Sequence, residues 1–198
     1  STLKKYEKKY ANTPMLSRTH GQKASPTTFG KELKVLSSRL KKQATFMEKR
    51  SVYAKMNGAV GNFNAHHVVL PEIKWDIETK KFLSNLGLVQ NTHTTQIENH
   101  DWLSEALNDI CMISNILLDF SKDIWIYIML DYIKQKKIKS EVGSSTMPHT
   151  VNPIDFENAA WNLEITITLS QSLSTKLMVS SLPRDFTDTT FLTTLGVV

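Results

Sequence analysis

The stretch "WLSEALNDICMISNILLDFSKDIWIYIMLDYIKQK", residues 102–136, decides the fold. Its apolar residues recur at near-heptad spacing. Leu103, Leu107, Ile110, Ile113, Leu117, Phe120, Ile124 and Ile128 share one helical face, which Asp131 continues. The opposite face is apolar in its middle, with Ile116, Leu118, Trp125 and Met129. A helix apolar nearly all round is surrounded by other helices, from its own chain or from other subunits. Residues 110–133 are also long enough to cross a bilayer. Asp119, Lys122, Asp123 and Asp131 interrupt that window, however, and charges are costly in lipid. A buried bundle helix is therefore expected.

Upstream, "TPMLSRTHGQKASPTT" (residues 13–28) is rich in turn formers. Ser25 followed by Pro26 predicts a helix N-cap and first turn, with the helix running over about 27–53. "MNGAVGNFNAHH" (residues 56–67) reads as a break or a close-packed turn. A short helix near 76–86 should close on Gly87. Downstream, "GSSTMPHTVNP" (residues 143–153) separates the long helix from another, capped by Asn152 with Pro153 in its first turn and running to about 180. A last short helix should follow Asp185. No alternating βαβ pattern and no internal repeat is present, so the fold class is all-α, built from long helices.

The 198 residues fit one ordinary domain. The net charge of +5 sits largely in scattered lysine pairs, which points to solvated helix faces. No recognition motif accompanies the charge, so nucleic acid is not an expected partner, while an anionic small substrate is compatible. The single cysteine, Cys111, lies in an apolar helical stretch and is expected as a buried thiol, which suits a reducing, cytoplasmic compartment. The polar start "STLKKYEKKY" and the end "FLTTLGVV" read as interruptions of longer elements, so the chain is expected to be a piece of a longer protein.

Three polar clusters break the helices: "SRTHGQ", "TTQIENHD" and "GSSTMPHTVNP". Such breaks are where a bundle places a site. His20 is the best single acid/base candidate because imidazole titrates near neutral pH, although a loop histidine satisfied by hydrogen bonds is the commoner case. His66, His67, His93 and His100 match no standard metal-ligand spacing. Ser144 and Ser145 lie in no G-x-S-x-G elbow, so a hydrolase triad is not indicated. Arg184, before "DFTDTT", fits either an anion site at a helix start or an ordinary cap.

Taken together, the clusters resemble one family. "GSSTMPHTVNP" is similar to the signature loop of the fumarase/aspartase superfamily, G-S-S-x-M-P-x-K-x-N-P. "MLSRTHGQKASPTTFGKE", "NGAVGNFNAH", "TTQIENHD", "VNPIDFENA" and "RDFTDTTFL" follow in the order of its adenylosuccinate lyase branch and cover nearly the whole chain. The resemblance implies a bundle completed by oligomerisation, with this chain as the central helical domain over residues 1–198. The implied assembly is a homotetramer whose active sites are shared between subunits. The implied reaction is a β-elimination of fumarate from adenylosuccinate, and from the succinylated aminoimidazole carboxamide ribotide. It needs no metal and no organic cofactor.

Carried over residue by residue, the resemblance implies His20 as general acid and Ser144 as general base. It implies Thr19, Gln96, Ser145, Asn152 and Asn158 as substrate contacts. Arg184, Thr189 and Thr190 would hold the nucleotide and its phosphate, with Glu157 as a supporting acid behind the site. Two substrate-binding positions depart from the pattern. Thr150 stands where the loop carries lysine, and Thr193 where the family carries arginine. Loss of a charge-assisted contact costs about two decades in rate or affinity. The alternative is therefore a structural or interaction relative that keeps the bundle without turnover.

Overall fold

The computed structural model describes residues 2–135, 146–147, 151–179, 193–196 and 198. Among the described residues six helices dominate: α1 (Thr2–Lys9), α2 (Phe29–Glu48), α3 (Asn64–Val69), α4 (Trp75–Asn85), α5 (Asp101–Met129) and α6 (Ile154–Leu177). Two small sheets accompany them. An antiparallel hairpin pairs β1 (Pro14–Thr19) with β2 (Gln22–Thr28). A short parallel pair joins β3 (Tyr53–Ala54) to β4 (Val89–Gln90). The chain divides into two compact units, Ser1–Thr45 with Met112–Ile165, and Phe46–Cys111 with Thr166–Val198.

The expected long helix is present as α5, but its most buried stripe is not the one that the large apolar residues predict. Ser104, Leu107, Cys111, Ser114 and Ser121 are buried, at steps of three, four, three and seven. Of the predicted face, Leu107 and Ile124 are among the buried residues, and the remaining members are less so. Serine suits these positions because it is small and a carbonyl can satisfy its hydroxyl. Ser121 Oγ donates to the Leu117 carbonyl at 2.9 Å, and Ser104 Oγ donates to that of Ser174 at 2.8 Å. Cys111 is buried, as expected of a thiol in this stretch.

In the first unit the region expected to start a helix is instead the hairpin. Ser25 and Pro26 belong to β2, where Pro26 lies opposite Leu16 beside an irregularity in the register. Proline is tolerated there because a two-stranded ribbon has edges on both sides. Helix α2 begins only at Phe29, whose N–H donates to the Thr13 carbonyl at 3.0 Å, and it ends at Glu48 rather than near residue 53. Gly30 seats α2 on the end of α1: its N–H donates to the Tyr10 carbonyl at 2.9 Å. Tyr6, Tyr10 and Phe29 form an aromatic row across this junction. Helix α6 starts one residue later than the Asn152–Pro153 reading requires. The Pro153 carbonyl accepts from the N–H groups of Phe156 and Glu157, which puts Pro153 at the cap and Ile154 first in the helix.

In the second unit Leu107 and Leu173 form a small core with Leu103, Ile110, Leu177, Leu195 and Val198. Arg50 ties the chain after α2 to α5. Its Nε and Nη2 donate to one Asp109 oxygen at 2.8 and 2.6 Å, and its Nη1 pairs with Glu105, one turn away. The expected short helix is α4, and Gly87 follows it with φ +75, as a C-terminal glycine should.

Candidate active site

His20 sits at the tip of the β1–β2 hairpin. Thr19 and Gln22 are paired, so His20 and Gly21 alone make the loop. Their φ values, +49 and +71, match a type I′ turn, the connection whose twist suits a two-residue hairpin. Histidine tolerates the left-handed region better than most residues, and glycine adopts it freely. Arg18 braces the tip, with Nη1 donating to the Gly21 carbonyl at 2.7 Å and Nε donating to the Tyr132 hydroxyl at 3.1 Å. The result is an exposed imidazole on a stiff support, with Thr19 beside it, also exposed.

Behind the hairpin lies a cleft of about 550 Å³ in the same unit. Tyr10, Tyr127 and Tyr132 give it aromatic walls, and Arg18, Lys23 and Lys134 give it positive charge; no acid lines it among the described residues. A neighbouring patch has the opposite character. Asp119, Asp123 and Glu32 gather around Tyr127, with Arg39 paired to Asp119 at 2.6 Å. Partial burial raises the Asp123 carboxyl above the usual carboxylate range; Asp119 and Glu32 add to this, and Arg39 opposes it. Burial first, and then the same acids, push the Tyr127 hydroxyl up to about 12.

The start of α6 carries three more expected residues, Asn152, Glu157 and Asn158, all exposed. The Glu157 carboxylate accepts from the Trp125 indole N–H at 3.2 Å, so α5 engages it. That contact gives Glu157 a partner the sequence reading did not name. Ser144, Ser145, Thr150, Arg184, Thr189 and Thr190 lie outside the described residues.

In the second unit Gln96 is exposed on the loop that follows β4. The parallel pairing sets this loop beside the turn after β3: Val89 N–H donates to the Val52 carbonyl, and Asn91 N–H to that of Ala54. Lys55, the residue after β3, donates to the carbonyls of Gly58, Thr95 and Gln96 at 2.8, 2.8 and 2.6 Å. Sequence reasoning passed over this lysine. Its one signal is position, a lone cation leading into the Gly/Asn-rich stretch. Thr193 is exposed in a short helical turn over residues 193–195.

Residues 1–165 match the protein family described as "Lyase". The chain is 47% identical over 188 residues to adenylosuccinate lyase of Escherichia coli (strain K12), covering 95% of this chain and 41% of that protein. It is 51% identical over 190 residues to adenylosuccinate lyase of Legionella pneumophila (strain Corby), covering 96% and 42%. With the same enzyme of Buchnera aphidicola subsp. Acyrthosiphon pisum (strain APS) the identity is 45% over 197 residues, covering 100% and 43%. The chain thus spans about two-fifths of the length of these curated relatives. Among solved structures, fumarate lyase from Mesorhizobium sp. BNC1 superposes with a TM-score of 0.70 at 20% identity, over 98% of this chain and 43% of that one. That likeness establishes the all-α, long-helix fold.

Proposed function

The chain belongs to the lyase family, and from that premise we propose that it is the central helical part of an enzyme that eliminates fumarate from adenylosuccinate to give AMP. The observation that carries the reading is identity of 45–51% over almost the whole chain to relatives named adenylosuccinate lyase. The same chemistry extends to the succinylated aminoimidazole carboxamide ribotide, whose succinyl group leaves in the same way.

In the proposed reaction Ser144 takes the proton from the succinyl carbon next to a carboxylate. The electron pair spreads into that carboxylate, giving an aci-carboxylate carbanion. The carbon–nitrogen bond then breaks, the carbon–carbon double bond of fumarate forms, and His20 delivers a proton to the departing nitrogen. A serine is a weak base, so its alkoxide must be stabilised by loop N–H groups and a neighbouring helix N-terminus once water is excluded. The stiff hairpin tip supports the His20 role, because a general acid works best when its geometry is fixed before substrate arrives. Thr19, Gln96, Ser145, Asn152 and Asn158 are proposed to contact substrate, with Arg184, Thr189 and Thr190 at the phosphate and Glu157 behind the site. Thr150 and Thr193 occupy binding positions without a cation.

We also propose a homotetramer with shared sites, working in the cytoplasm. Large apolar side chains left open on α5 and α6, among them Met112, Met129 and Trp161, support burial against other helices. Among the described residues no helix is long and apolar enough to cross a membrane. The reaction type is tested in reverse. AMP and fumarate, incubated in heavy water with the full-length protein, should give adenylosuccinate carrying one deuterium on the succinyl methylene. Product without deuterium there would overturn the elimination.

A further inference from the structure

Building on the proposed reaction, we propose that Lys55 is a positioning residue that holds the substrate-facing Gln96 in place. An ammonium has three N–H donors, and in Lys55 all three are spent on backbone carbonyls. One acceptor, Gly58, lies in the turn after β3. The other two, Thr95 and Gln96, lie in the loop after β4. Lys55 therefore staples two segments about forty residues apart in sequence, and one staple point is the backbone of Gln96 itself.

Independent contacts show that this junction is built tightly. Asn57 is 1% exposed, and its side-chain oxygen accepts from the Thr94 hydroxyl at 3.0 Å. Gly61, with φ +82, presses against the Thr94 carbonyl so closely that a β-carbon would overlap the oxygen. The Asn57 carbonyl accepts from the Phe63 N–H at 2.8 Å, closing the turn. Residues 94–96 thus have backbone and side-chain ties, yet the Gln96 side chain stays exposed. Such a design fixes the backbone and leaves the amide free for a ligand. Lys55 cannot itself serve as a substrate cation while its donors are occupied. Burial also lowers its pKa.

The test uses the full-length protein with the substitutions Lys55→Met, Lys55→Arg and Gln96→Ala. In Lys55→Met, amide hydrogen exchange over residues 94–98 should quicken by about tenfold or more, with exchange in α5 unchanged. The KM for adenylosuccinate should rise about tenfold while kcat moves far less, because a binding contact is lost and the reacting groups are not. Lys55→Arg should recover part of the KM. In the Lys55→Met background, Gln96→Ala should add little further loss, since its amide is already misplaced. Unchanged loop exchange overturns the staple whatever the activity. Faster exchange with an unmoved KM, or full additivity with Gln96→Ala, overturns the positioning role. A parent protein without turnover overturns the proposed reaction, and with it this role, whereas a parent that turns over while Lys55→Met behaves like it overturns this inference alone.

Discussion

A β-carbon placed on Gly30 would lie 2.6 Å from the α-carbon of Ala11, so α2 can meet the end of α1 only through a glycine. The nearby atoms are backbone, including the Glu7 carbonyl oxygen at 2.6 Å, and cannot rotate away. Gly30→Ala should therefore destabilise the protein by about 1–3 kcal/mol, despite alanine's better helix propensity. Chemical denaturation compared with the parent checks this; equal or higher stability would contradict it.

Two arginines make ion pairs with α5, and their surroundings rank them. At Arg50 the partners Arg50 and Asp109 have side chains 21% and 15% exposed, whereas Arg39 and Asp119 are 45% and 57% exposed. Arg50→Ala strands a mostly buried carboxylate and should cost about 2 kcal/mol or more. Arg39→Ala should cost under about 1 kcal/mol. Melting temperatures of the two variants should fall in that order, and the reverse order would refute the ranking.

Asp123 gives a pH-dependent prediction. Its folded-state pKa is raised, so the folded protein holds this proton more tightly than the unfolded chain does. Its contribution is most favourable below the ordinary carboxylate range and is lost as pH rises through the raised value. At neutral pH the charged form is a net cost. Asp123→Asn should therefore raise the melting temperature at pH 7, and the gain should shrink toward about pH 3, where both states are protonated. A gain that grows on acidification would contradict the sign.

The proposed acid and base should separate from the scaffold. His20→Ala and Ser144→Ala should each lower kcat by about a hundredfold or more while leaving the assembly intact by light scattering. Near-normal turnover in either variant removes that residue from its role.

The long helices were legible because residues 102–136 carry apolar side chains at a spacing no strand could use. Which face packs deepest was not. The buried serines of α5 reveal it only once hydroxyls such as that of Ser104 find carbonyl partners. The hairpin is hidden in the sequence for a related reason. Ser25–Pro26 is a good local helix start, but Thr19–His20–Gly21–Gln22 is a better two-residue turn, and cross-strand pairing of Met15 with Thr27 overrides the cap. His20 stood out as a titratable group in a polar break. Lys55 did not, because a lysine's role depends on which carbonyls surround it, and residues 95 and 96 are distant in sequence.

Fumarate release is measured by following adenylosuccinate spectrophotometrically in the presence of the full-length protein. Conversion to AMP and fumarate in equal amounts by an intact tetramer is expected. No turnover at high enzyme concentration, with the tetramer intact, would contradict it.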